Sequence, residues 1–414
     1  MRYSWVMLKS ISPGGWYFAS VATFMIPAGI QMVLLPYLLA IELRQPADRF
    51  GVTLMFGQLP ILIFLLFGGW LADRVDPRRL LISLQAIGIA MPLLLAFALW
   101  HGRASEILLL LYAVSWGLVT AFAMPARDGL LKRVAGDRIQ RMVTLAIGTQ
   151  FGAQMIGQAL GGWAQSRGAV GILILQCLVL AIGIFTASKL PAAPPLARAA
   201  ATASKAVSRK SLWSEFSAGL SLIYADRPMR STYILIFGMG IFFGGVFIVL
   251  MPLILRDVYN GSARDIAWGY LAFGAGTLLS IVTLTRKGGI RVPGRALVLS
   301  QFGGCLMLSP LTLAPPKPVF YLCIFLWGMC GGVAMTMSRT IMQERAPSSH
   351  QSRVMAAYSL ATAGGSPLGS LILGYTVKLV GARWAVLVPI LGVLSATSCA
   401  LASHPIWRLK SQSK

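Results

Sequence analysis

Apolar runs of about 20 residues recur along the whole chain, separated by short charged turns, and about twelve of them are legible. A run of that length can satisfy its own backbone in lipid only as a helix. The alternative, a barrel, needs strands of about 10 residues that alternate in polarity, and these runs do neither. Composition agrees. Of 414 residues, 57% are apolar and 12% charged; a soluble domain carries about 25% charged residues. The expected fold class is all-α integral membrane. The first apolar stretch is too long for a signal peptide and reads as a retained first span.

The net charge of +24 would suit a nucleic-acid binder if it were clustered, but it alternates from loop to loop. Assigning the amino terminus to the cytoplasm puts Arg74, Arg78, Arg79, Arg127, Lys132, Arg133, Arg138, Arg141, Lys205, Arg286, Arg295, Arg345 and Arg353, among others, on one side. The opposite side holds Arg44, Arg49, Arg103, Arg167, Arg256, Arg264, Lys317, Lys378 and Arg383. A ratio of roughly three to one follows the positive-inside rule and places both termini in the cytoplasm. The basic face then meets the headgroups of the lipid bilayer, and no nucleic acid is implied.

Catalytic patterns are missing. Cys177, Cys305, Cys323, Cys330 and Cys399 all fall in apolar runs, with no spacing for a metal or a disulfide framework. His101, His350 and His404 lie in loops away from any second ligand or nucleophile. No loop has the pattern that cradles phosphates, so neither an enzyme nor a cofactor is expected. The chain reads as a carrier of a small-molecule substrate, driven by gradients.

The chain also repeats itself. Arg127 returns as Arg339, Arg141 as Arg353, Gly157 as Gly369 and Gly162 as Gly374, each at an offset of 212 residues. Trp116-Gly117 returns as Trp327-Gly328, one residue out of step. A half-chain repeat in a polytopic protein is a parallel-repeat signature. Between the halves lies a Pro- and Ala-rich linker, then Trp213, Phe216, Leu220, Ile223 and Tyr224 at helical spacing. That spacing predicts an amphipathic surface helix ended by Asp226-Arg227-Pro228. The expected division is residues 1–190, a linker over 191–230, and residues 231–414.

The basic turn from Gly68 to Arg79 holds two of the twelve acidic residues of the chain, Asp73 and Asp76. Gly69, Asp73, Arg74, Arg78 and Arg79 fit the order G-x-x-x-D-R-x-G-R-R. This resembles the loop between the second and third helices of the major facilitator superfamily. Asp76 stands where that pattern has its second glycine. Gly157-Gln158-Ala159-Leu160-Gly161-Gly162 resembles the G-P-x-x-G-G element of the superfamily's exporters, with Gln158 in place of proline. The surface helix is similar to that of the branch holding enterobactin and macrolide exporters.

The resemblance implies a major facilitator fold of twelve transmembrane helices in two pseudo-symmetric six-helix bundles. It also implies a multi-pass protein of the inner (cytoplasmic) membrane that exports an amphipathic, drug- or siderophore-like molecule by alternating access, as a monomer. Proton antiport comes from the resemblance, not from the residues, because no Asp or Glu falls mid-span. Glu42, Glu106, Asp257, Asp265 and Glu344 sit at span ends. The conformational switch is expected at Gly69, Asp73, Arg74, Arg78, Arg79, Arg127, Asp128, Arg141, Arg339, Glu344 and Arg353, with Asp73 near the start of helix eleven at Met355.

Gln31, Gln58, Trp116, Gln150, Gln154 and Trp327 are candidates for a substrate cavity, and the same residues at helical spacing also suit plain packing. Gln150, Gln154 and Gln158 share an arc of helix five expected at the interface between halves. Gly157, Gln158, Gly161, Gly162, Gly369 and Gly374 are expected to let helices approach closely. Two other readings stand beside export: a lysophospholipid or other lipid transporter on the same fold, and a membrane receptor that kept the scaffold.

Overall fold

The computed structural model describes residues 12–135, 139–192, 217, 219–286, 290–347, 350–403 and 406–409. Among them there is no strand, and twelve long rods carry the chain. The first is α1 (Pro13–Tyr37), extended by a π-helical turn at Leu38–Glu42. Then come α2 (Ala47–Arg74), α3 (Pro77–Trp100), α4 (Glu106–Ala135), α5 (Ile139–Gly161) and α6 (Ala169–Ser188). The second series opens with α7 (Arg227–Gly245), which runs on through a π turn at Val246–Leu250 to Met251–Asp257. It continues with α8 (Ala263–Arg286), α9 (Pro293–Leu308), α10 (Lys317–Arg345), α11 (Gln351–Trp384) and α12 (Leu387–Ser403). Among the described residues, nine rods are long and apolar enough to cross a membrane, and α11 with α12 pass as a pair bent by 107°. The remaining rod, α5, is diluted by Gln150, Gln154, Gln158 and Arg141.

Local chemistry explains where the rods begin. Ser12 caps α1, accepting from the Gly15 amide, with Pro13 at the first position. Asp226 caps α7 by accepting from the Met229 amide at 2.9 Å, with Pro228 behind it. A proline in the first turn loses nothing, because its missing N–H would have had no partner there. The π turn of α7 lies just before Pro252, which cannot donate to the Ile248 carbonyl. Near the end of α11 the chain turns through Gly381, whose φ of +81° favours glycine.

Contacts divide the chain into two compact units, Met1–Leu39 with Phe56–Ala206 and Ala40–Met55 with Val207–Lys414. In the first, α1 crosses α5 at Gly29 and Gly157; a Cβ on Gly157 would lie 2.9 Å from the Gly29 Cα. Gly68 of α2 meets the backbone of Ala121 on α4 in the same way. The core around these crossings is built from Tyr17, Phe24, Leu81, Ala123 and Leu130.

In the second unit, Gly369 of α11 seats on the backbone of α7 at Ile241 and Gly245. That crossing repeats the α1–α5 crossing at the offset expected from sequence. Thr277 of α8 donates to the Gly328 carbonyl of α10 at 3.0 Å. The described end of the linker helix is docked: Ile223 is fully buried with Met229, Met342 and Val354, while Tyr224 is exposed. Trp213 and Phe216 lie outside the described residues. Ile63, Phe97 and Leu391 are each 64% exposed, the apolar outside of a protein that lives in lipid. The chain is a multi-pass integral membrane protein.

Candidate functional site

The basic turn joins α2 to α3. Arg74 ends α2 and is exposed, Arg78 is half-buried and Arg79 exposed. Asp76, the residue that departs from the expected pattern, caps α3: its carboxylate accepts from the Arg78 amide at 3.0 Å, with Pro77 at the first position. The second acid of this turn therefore has a local task. Gly69 and Asp73 lie in the last turns of α2 and Arg141 in the first turn of α5, but the surroundings of their side chains lie outside the described residues.

Arg127 is placed otherwise than its neighbours. It lies on α4, is 6% exposed, and its guanidinium sits 4.9 Å over the ring of Phe24 on α1. Tyr17 donates its hydroxyl to the Arg127 carbonyl at 3.4 Å. Phe24 stacks on Trp116 with centroids 5.5 Å apart and planes 23° from parallel. The side-chain Nε and Nη1 of Arg127 have no hydrogen-bond partner. Asp128, Arg339 and Glu344 are exposed, exposed and half-buried, and Arg353 is half-buried.

The glutamines of α5 turn to α1. Gln154 and Gln158 donate to the Met32 sulfur at 3.5 and 3.3 Å, and Gln150 is half-buried. Gly161 packs on Val33 and Ile30, and Gly162 is buried in the turn that follows. Gln31 is buried with its carbonyl oxygen unpartnered, while Gln58 is half-buried. The two tryptophans of the repeat differ. Trp116 keeps a half-buried face, whereas Trp327 is 1% exposed between Phe243 and Phe273.

Several polar contacts escape the sequence. At the start of α2, Gly51 meets Gly374 and Ser370 of α11; a Cβ there would lie 2.5 Å from the Ser370 carbonyl oxygen. Beside it Lys378 pairs with Asp48 at 2.7 Å. Arg256 donates to the Gln45 carbonyl at 2.7 Å while holding Asp257 with its other nitrogens. All of these residues belong to the second unit. Asp265 opens α8 by accepting from the Ser262 amide and hydroxyl, from Lys317 and from Tyr321. Arg345 ends α10 on Asp226, 2.9 Å away. Gly374 was visible through the repeat. Its partner Gly51 carries no sequence signal except that it follows Asp48, one of few acids.

The family model that matches this sequence is the Major Facilitator Superfamily, over residues 17–370. The chain belongs to that superfamily. It is a transporter-family protein and not an enzyme. Solved structures of the same fold include a nucleoside transporter, NupG, at 13% identity and a TM-score of 0.75, covering 95% of this chain and 99% of that one. A bacterial homolog of the human lysosomal transporter Spinster, inward-facing and unoccupied, aligns at 14% identity and 0.67, covering 95% and 96%. A POT family transporter in complex with 5-aminolevulinic acid aligns at 12% and 0.71, also covering 95% and 96%. No significant match occurs among curated proteins. Likenesses at such identity give this superfamily member its fold and leave the substrate to the residues.

Proposed function

We propose that this superfamily member is a secondary-active exporter of an amphipathic small molecule, drug- or siderophore-like, that works by alternating access in the cytoplasmic membrane. It acts as a monomer of two six-helix bundles, 1–190 and 231–414, joined by the 191–230 linker, with both termini cytoplasmic. The observation that carries this reading is the seam at the start of α2. There two glycines bring backbones together beside a part-exposed ion pair, Lys378–Asp48. An exposed pair is worth about 0–1 kcal/mol, so such a seam can hold one state and still release. The basic turn after α2 is the opposing lock, with Asp73 as its acid.

Outward direction rests on the Gly157–Gly162 element and its resemblance to exporters. Proton coupling would run through acids at span ends, Glu42, Asp257 and Glu344, since the middles of the spans carry none. The test is transport by the purified protein in sealed vesicles, using neutral and acidic aryl amphiphiles. Protein-dependent movement that an imposed proton gradient accelerates is expected. Movement indifferent to the gradient would remove the coupling, and absence of movement of both probes would remove the transport reading.

A further inference from the structure

Among the described residues, the buried arginine of the first unit has guanidinium nitrogens that no acceptor reaches. A guanidinium stays charged and presents five donors. Arg127 is 6% exposed, and its Nε and Nη1 have no acceptor. The Phe24 ring beneath it offsets part of the cost of burial but accepts no hydrogen bond in the plane of the guanidinium. Asp128, next in sequence, is exposed and acts on Arg127 through its charge, without a hydrogen bond to Nε or Nη1. Burying a charge without pairing it is costly, so this arrangement implies an anion that comes and goes.

The repeat supplies an internal control. Arg339 occupies the matching position of α10 and is exposed. Tyr17 and Phe24 correspond, at the same offset, to Met229 and Ile236, which sit in an apolar cluster whose buried aromatic residue is Tyr358 of α11. The fold therefore does not require a buried arginine here. The first unit has one together with an aromatic replacement of its α1 neighbours, and the second has neither.

We propose that Arg127, Phe24 and Trp116 form an oxyanion-binding subsite that takes the carboxylate, sulfonate or phosphate of the transported amphiphile. The planar fork of the guanidinium suits two oxygens of such a group. The half-buried face of Trp116, stacked on Phe24 about three helical turns from Arg127, receives the apolar body. This rests on the transport reading and narrows it to anionic amphiphiles.

The test uses the full-length protein in phosphatidylcholine nanodiscs, with anilinonaphthalene sulfonate and the neutral phenylnaphthylamine as probes. The two share an aromatic body and differ in the acidic group. Arg127→Gln should weaken the sulfonate about 10- to 100-fold and leave the neutral probe within about twofold. Arg127→Lys keeps the charge without the fork and should fall between. If Arg127→Gln does not fold, Phe24→Ile, which installs the residue of the second half, should weaken the sulfonate selectively.

Unchanged sulfonate affinity in a folded Arg127→Gln protein, or equal loss of both probes, overturns the subsite. Competition by phosphatidylglycerol in the disc would identify a lipid headgroup as the source of the anion. Competition by a soluble aryl carboxylate without that lipid effect would identify a soluble one. In sealed vesicles, a subsite failure leaves transport of the neutral probe intact, whereas failure of the transport reading leaves wild-type protein moving neither probe.

Discussion

Replacing Asp76 by alanine removes the acceptor for the Arg78 amide at the first turn of α3. Loss of such a cap costs about 1 kcal/mol. Asp76→Ala is therefore expected to lower the melting temperature slightly and to speed amide exchange at Arg78–Leu81. Asp76→Asn, which still accepts, should leave both nearly unchanged. If the two variants instead behave alike and both slow transport, the charge of Asp76 serves the lock and not the cap. The same scale explains why one half of the aromatic repeat was legible and the other was not. Trp116 and Trp327 look alike in sequence, and their exposure depends on Phe243 and Phe273, which close over Trp327 from α7 and α8.

Among elements, the α1–α5 crossing separates packing from polar contact. A side chain on Gly157 would run into the backbone of Ile26 and Gly29, and backbone cannot yield as a flexible side chain can. Gly157→Leu should force the two helices apart and abolish the folded protein in detergent extracts. Gln154→Leu loses only a long N–H···S contact to Met32, 3.5 Å. Interhelical polar contacts are worth about 0.6–2 kcal/mol, so its yield should hold while transport changes. A collapse in yield for Gln154→Leu would make that glutamine structural.

The partner of α5 was not readable, since its glutamines, expected between the halves, pack on α1 within the first unit. The rods and their equivalence were readable, because the length of an apolar run is local and the glycine offset repeats. Gly157 and Gly369 mark equivalent crossings for that reason. The start of α2 was not readable. Its seam joins Gly51 to Gly374 and Asp48 to Lys378, residues more than three hundred positions apart with no shared pattern. Arg127 was visible as a basic residue after Pro125, yet its burial follows from Tyr17 and Phe24, which sequence treats as ordinary apolar positions.

For the whole molecule, transport requires contacts that differ between states, since a contact equal in both shifts nothing. The α2 seam is the proposed contact of that kind. Its ion pair is worth at most about 1 kcal/mol where the lysine side chain is half exposed. The Arg256–Gln45 bond adds about 1.5–3 kcal/mol as a charge-assisted contact. A total of that order moves a two-state ratio by about tenfold to a thousandfold, enough to set a resting state and still permit escape.

Pinning the seam should therefore stop the cycle. With the five native cysteines replaced by alanine, Asp48→Cys combined with Lys378→Cys is expected to be joined by a bis-methanethiosulfonate crosslinker, because the native side chains at these positions meet at 2.7 Å. Transport in vesicles should cease and return with a reductant, while each single cysteine variant responds to neither treatment. A crosslinked protein that transports at the rate of its reduced form would make the seam permanent packing. The moving contact would then have to lie elsewhere, with the basic turn at Asp73 next to be pinned.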